Sequence, residues 1–337
     1  MQSFRGQTGF PPRSPLRSVL RVGGLALAVA CLFGALPVGS QVDYSRPVEV
    51  APSEEAIGEG YEVPEVQQPL PTSVTRQLLD LGLLAGALAL AAWLVLNRRN
   101  RRYVVLLATV CLAYFGFFRE GCICPIGSIQ NVTTALVDPT YAIPYFVIGI
   151  FMLPLVAALF FGRVFCSGVC ALGAIQEMVL LKPVEVPRWL DRVLGSFKWI
   201  YLVAAIVFAV LPAVNRDFII CRFDPFVGFF RFTGPFHMFL LGGALLLLGV
   251  FVGRPYCRYL CPYGALLSVF SRYAWKSVSI TPDRELDCGL CEKACPYGAI
   301  EEMRAIRTSC LACARCYESC PVERSQALPG QEEREAA

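Results

Sequence analysis

The chain has 337 residues with a mean hydropathy of +0.54 and 17% charged residues; soluble domains carry about a quarter, so the composition excludes an ordinary soluble protein. A net charge of +4 is too mild to point to nucleic acid, and the basic residues sit beside apolar runs. Its 16 cysteines do not suit a secreted disulfide scaffold, which is short and polar, and its single histidine, His237, excludes a di-haem quinol oxidase, which needs several axial histidines.

Six apolar runs occur in chain order, at 22–38, 74–96, 103–118, 141–161, 199–214 and 236–252. About 20 apolar residues span a bilayer as a helix, so the third, fifth and sixth runs need polar flanks to complete a crossing. The expected fold is an all-α polytopic membrane domain of about six transmembrane helices, with a small C-terminal α+β two-cluster ferredoxin-like domain. The expected segments are 1–40 (a transmembrane helix or a signal peptide), 41–73 (acidic and Pro-rich), 74–276 (membrane domain), 277–321 (ferredoxin-like) and 322–337 (a solvated tail). Arginines and lysines orient the helices. Arg17 and Arg21 precede the first run, Arg98 to Arg102 join the second and third, Arg163 to Lys198 join the fourth and fifth, and Arg254 to Lys276 come after the sixth. Segment 41–73 is acidic instead, with Glu54, Glu55 and Glu59 among its residues. The expectation is a bacterial inner-membrane, multi-pass protein with both termini in the cytoplasm and 41–73 outside.

After the third run comes Cys122-Ile-Cys124-Pro, and Cys221 precedes the sixth; this topology places both outside. Three readings stay open for them: a redox or metal site, a disulfide from Cys221 to either cysteine, or packing. Cys31 and Cys111 lie alone in apolar runs and read as packing residues. Two longer motifs meet the cytoplasm. Gly162-Arg163-Val-Phe-Cys166-x3-Cys170 comes after the fourth run and Gly253-Arg254-Pro-Tyr-Cys257-x3-Cys261 after the sixth. They align as G-R-x-[FY]-C-x3-C-[AP]-x-G-A-[IL], and two such pairs supply four thiolates to one membrane-face cluster. A shorter form, C-[PA]-x-G-[AS]-[IL], occurs at Cys124, Cys170, Cys261 and Cys295, as a repeated turn in which a glycine admits sulfur to the backbone before a helix starts.

The tail carries a complete C-x2-C-x2-C-x3-C-P run at Cys310, Cys313, Cys316 and Cys320, preceded by Cys288-x2-Cys291-x3-Cys295-Pro296. On the two-cluster pattern, Cys295, Cys310, Cys313 and Cys316 hold one [4Fe–4S] cluster. A zinc ribbon is the competing reading, and two C-P runs in tandem suit it poorly. Cys288, Cys291 and Cys320 are left for a second cluster, [3Fe–4S] or [4Fe–4S]. The residue three before Cys288 is Glu285 rather than cysteine, so Glu285, Asp287 or a membrane-domain cysteine would complete it.

On the paired G-R-x-[FY]-C-x3-C motifs and the cysteine-rich tail, residues 117–321 resemble the NapH/NosR family of membrane polyferredoxins. The resemblance implies clusters on the cytoplasmic side, at Cys166, Cys170, Cys257, Cys261 and the tail cysteines. It also implies quinol oxidation and electron supply to periplasmic reductases. Departures are Ala171 in place of proline, the missing first tail cysteine and the extra Cys122/Cys124 pair; the N-terminal flavin-binding domain of the NosR branch is not seen. The expected function is electron transfer between the quinol pool or a cytoplasmic donor and a periplasmic or membrane reductase, in contact with membrane lipids and redox partners. The alternative is metal handling, reducing copper during maturation of a respiratory enzyme; a redox sensor would need an output domain, and none is visible. Quinone has no firm motif, and His237 with Arg222 or Arg231 is the candidate head-group site against a structural reading of the histidine. Walker loops, dinucleotide fingerprints and hydrolase constellations are missing from the sequence, so any enzymatic role is as a quinol dehydrogenase subunit.

Overall fold

The computed structural model describes residues 73–121, 125–138, 143–184, 186–211, 224–232, 236–278, 288–302 and 304–321. The chain is mostly helical. Helix α1 (Val74–Trp93) continues through a π turn, Leu94–Arg98, and α2 (Arg101–Cys111) continues through Leu112–Phe118. Then come α3 (Pro125–Val137), α4 (Tyr145–Phe161), α5 (Val164–Gly168), α6 (Ala171–Met178), α7 (Arg188–Val210), α8 (Pro225–Arg231) and α9 (Phe236–Gly249). A π turn at Tyr256–Leu260 leads to α10 (Pro262–Ser271). The tail holds α11 (Leu290–Lys293), strands β1 (Ile300–Glu301) and β2 (Arg304–Ala305), and α12 (Arg315–Ser319).

Among the described residues, three helices are long and apolar enough to cross a membrane: Val74–Arg98, Arg101–Phe118 and Arg188–Val210; α4 and α9 are apolar but shorter. The fifth apolar run gains its length as expected, because α7 starts 11 residues upstream (188 against 199) and takes in Asp191, Arg192 and Lys198. The run at 22–38 and both chain termini lie outside the described residues. Large apolar side chains such as Leu78, Leu106, Ile200 and Val203 are exposed on these helices, the pattern of a lipid-facing surface and not of a soluble core.

Polar groups tie the helices together where the surroundings are apolar. Gln130 Nε2 and Thr134 Oγ1 on α3 donate to the Ala205 and Ala209 carbonyls of α7, at 3.3 and 3.2 Å. Asp80 on α1 is fully buried, 2.7 Å from Arg119 Nη2, and accepts from Tyr114 Oη at 2.7 Å. Sequence reading passed over this pair.

The tail rests on the end of this bundle that carries the two C-x3-C motifs. Its antiparallel ribbon pairs Ile300 with Ala305 and Glu301 with Arg304. Ser271 Oγ donates to the Arg307 carbonyl at 3.1 Å, and Arg258 Nη1 donates to the Pro296 carbonyl at 3.3 Å. Gly253 is required by this closeness, since a Cβ there would lie 2.9 Å from both Pro296 O and Tyr297 Cε1.

Candidate metal centre

The two C-x3-C motifs fold alike. The helix α4 ends at Gly162 with φ of +74°, Cys166 lies in α5, and Cys170 is the residue before α6. In the second motif Cys257 lies in the π turn and Cys261 is the residue before α10. The second cysteines have nearly the same backbone, φ/ψ of −66/114° at Cys170 and −64/111° at Cys261, which is the turn-then-helix geometry that the repeated motif predicts. Cys257, Cys170 and Cys166 are close enough to Cys261 for their charges to act on its thiol.

Each motif also reaches into the other. Arg254 Nη1 donates to the Cys166 carbonyl in a short contact, and Gly173 makes room for it: a Cβ at 173 would sit 2.5 Å from Cys166 O and 3.1 Å from Arg254 Nη1. Gly264 stands in the matching position, where a Cβ would lie 3.2 Å from both Cys257 O and Arg163 Nη2. Arg254 thus crosses from the second motif to the first, and Arg163 of the first lies beside Gly264 of the second. N–H groups surround the sulfurs: Gly264 N lies 3.2 Å from Cys261 Sγ, Gln176 Nε2 3.4 Å from Cys257 Sγ and Arg163 Nη2 3.9 Å from Cys166 Sγ. Burial pushes the Cys257 thiol up to about 11 and the Cys261 thiol well above its ordinary value. Thiols held this way would ionise on binding a metal centre, which stabilises the thiolates while their protons leave to solvent.

In the tail, Cys295, Cys310, Cys313 and Cys316 line one cavity beside Tyr297 and Arg315. Burial raises the Cys310 thiol to about 12 and the Cys313 thiol to about 11. The charges of Cys288 and Cys320 act on the Cys291 thiol, so these three tail cysteines are near one another. Glu285 and Asp287 lie outside the described residues. No three His, Cys, Asp or Glu side chains among the described residues close on a single-ion site. Cys295, Cys310, Cys313 and Cys316 line a cavity instead, and such a set of four thiols would hold a [4Fe–4S] cluster.

Cys122, Cys124 and Cys221 lie outside the described residues, and so does Arg222. Their neighbours are informative. Gly121 and Pro125 line the same apolar cavity as Cys170, Phe115, Phe226 and Asp224. Helix α6 packs alongside Arg101–Phe118, which brings the flanks of this motif to the cavity that Cys170 also lines. Asp224 is buried, accepts from Phe226 N at 3.0 Å, and burial pushes its carboxyl up to about 6. His237 is exposed at the start of α9, and Arg231 Nε donates to the Glu120 carbonyl at 3.4 Å. Cys111 is buried in α2, consistent with packing.

Sequence reading took Arg163 and Arg254 as orientation charges and as part of the repeated motif without giving them a role at the site, yet they are 4% and 1% exposed. It also missed Gln176 and Glu177. The position equivalent to Gln176 in the second motif is Leu267, six residues after its cysteine in each case. A Gln176→Leu chain is expected to keep its iron but show a lower midpoint potential at the membrane face, because an N–H donor to sulfur is removed. Stability falls by about 1–3 kcal/mol, as Tyr256 N loses the Gln176 Oε1 acceptor at 3.0 Å. Redox titration with calorimetry checks both.

Comparison with known proteins agrees with this geometry. A 4Fe-4S binding domain family matches residues 143–195 and 233–278, which contain both C-x3-C motifs, and a second 4Fe-4S binding domain family matches 286–301. YccM of Escherichia coli (strain K12), named for electron transport, is 32% identical over 59% of this chain. Protein NirI of Paracoccus denitrificans is 32% identical over 50% of it, and the regulatory protein NosR of Pseudomonas aeruginosa 28% over 48%. The chain spans 60%, 27% and 25% of the lengths of these three. No solved structure matches.

Proposed function

We propose, for a chain that belongs to the NapH/NosR-type family of membrane-associated 4Fe–4S electron-transport proteins, that it conducts electrons through three cluster sites in series. Cys166, Cys170, Cys257 and Cys261 hold the membrane-face cluster, and Cys295, Cys310, Cys313 and Cys316 hold the first tail cluster. Cys288, Cys291 and Cys320 hold the second tail cluster with a fourth ligand of their own. Each cluster, when bound, supplies a one-electron centre. The single observation that carries the reading is that Arg254 touches the membrane-face motif through the Cys166 carbonyl while it lines one cavity with Cys313 of the tail. Two cysteine sets from distant parts of the chain thereby face each other.

The chain's own residues do the rest. Glycines 173 and 264 let the two motifs close on each other, buried arginines offset thiolate charge, and apolar packing around Cys166, Cys257 and Cys261 keeps water out. Electrons enter from a quinol or a cytoplasmic donor in a multi-pass membrane arrangement. The likeness to NirI and NosR favours a reductase of denitrification as the acceptor.

Anaerobic protein in lipid nanodiscs, titrated stepwise and followed by EPR, tests this. Reduced-cluster signals that grow on addition of a quinol support entry from the quinol pool. Signals that grow with dithionite but not with quinol place the donor elsewhere. A protein without any cluster signal under dithionite would sink the conduit.

A further inference from the structure

Glu177, the seventh residue after Cys170, is almost fully buried and binds four partners from separate parts of the chain. Oε1 accepts from Arg101 Nη2 at 2.9 Å and from Arg315 Nη2 and Nε at 2.9 and 3.2 Å. Oε2 accepts from Arg254 Nε at 3.0 Å and from Tyr297 Oη at 2.5 Å. Arg101 opens a membrane-spanning helix, and Arg254 belongs to the second C-x3-C motif. Tyr297 comes directly after Cys295-Pro296, and Arg315 lies between Cys313 and Cys316. One carboxylate faces three guanidiniums, of which Arg101 also lies 3.5 Å from Glu318, and removing the buried carboxylate would leave Arg254 and Arg315 without their acidic partner.

The neighbours on either side are the two cluster sites. Gln176, adjacent in sequence, donates to Cys257 Sγ, and Arg254 donates to the Cys166 carbonyl. On the other side, Glu177, Arg254, Arg101, Ser167 and Cys313 line one cavity. Buried salt bridges are weak contributors to stability but hold register well. This one spans the seam between tail and membrane domain.

We propose that Glu177 is a positioning residue: through Arg254, Arg315 and Tyr297 it fixes the first tail cluster site against the membrane-face cluster site, at a separation where electrons pass. This rests on the cluster assignment above. Its removal undocks the two sites without emptying them, because none of its atoms ligates iron.

The test uses full-length, anaerobically purified protein as parent, Glu177→Gln and Tyr297→Phe, with iron and sulfide per chain, the magnetic interaction between fully reduced clusters, and midpoint potentials. The parent is expected to show an interaction-split EPR signal. Glu177→Gln is expected to keep its iron, lose the splitting, and raise the potential of the first tail cluster, since a negative charge beside it is gone. Tyr297→Phe, which deletes only one hydroxyl, is expected to weaken the splitting at full iron content. A parent lacking membrane-face iron overturns the cluster assignment itself. Full iron with unchanged splitting and potentials in Glu177→Gln overturns only the positioning role. Should Glu177→Gln lose iron, Tyr297→Phe decides, and an unchanged signal there overturns the proposal.

Discussion

A Cys166→Ala/Cys257→Ala chain is expected to carry about four irons and about four sulfides fewer than the parent, falling from about twelve irons to about eight. The reasoning is geometric. The two cysteines removed come from different motifs, and the two that remain, Cys170 and Cys261, precede α6 and α10. Two thiols cannot hold a cubane that needs four. The helices themselves should survive, since α6 and α10 start at residues the substitutions leave in place, and the buried sites at 166 and 257 take a smaller apolar side chain at a cost of roughly 1 kcal/mol. The tail cysteines are untouched, so the remaining iron should give the EPR signature of the tail alone. Iron unchanged from the parent would mean that the four membrane-face cysteines hold no cluster, however closely they are packed.

Much of this site is legible in the sequence because its logic is local. C-x3-C and C-x2-C spacings are fixed by a few residues, and the G-R-x-[FY]-C repeat announces that two halves share one geometry. Three of the six apolar runs coincide with helices long and apolar enough to cross a membrane, and α7 reaches that length by extending into a polar flank. The partners of the buried charges were not legible. Arg254 and Glu177 are 77 residues apart, and no spacing rule joins them. Counting arginines as orientation marks treats every guanidinium as solvated, whereas Arg163 and Arg254 are buried inside the seam they appeared only to border. A signal was present: in both repeats the arginine stands three residues before the first cysteine, which a mere orientation charge has no reason to do. Nor does any local spacing announce that Gly121 and Pro125 line a cavity with Cys170.

Asp80→Ala is expected to destabilise the membrane domain by about 3–5 kcal/mol, the second large effect. Asp80 has no exposed surface, and Arg119 Nη2 lies 2.7 Å from its Oδ2. Truncation leaves the guanidinium uncompensated beside a membrane-spanning helix and strips Tyr114 Oη of its 2.7 Å acceptor. Ionisable groups at such depth are costly, and pairing is what makes them tolerable. If the pair acts as a closed unit, the loss belongs to the orphaned charge and not to the attraction removed. An Asp80→Leu/Arg119→Leu chain should therefore recover most of the stability, keeping only about 1–3 kcal/mol of the deficit for the unpaired tyrosine hydroxyl. Thermal unfolding in detergent distinguishes the cases. A double variant as unstable as the single would show that the pair contributes attraction beyond charge cancellation, and that Arg119 or Asp80 has a further partner. A single variant as stable as the parent would mean that Arg119 reaches the polar boundary of the bilayer, as long basic side chains do near helix ends. Recovery in the double variant would make this buried pair, beside the turn leading into Cys122, a second polar element built into the membrane domain for charge and not for packing.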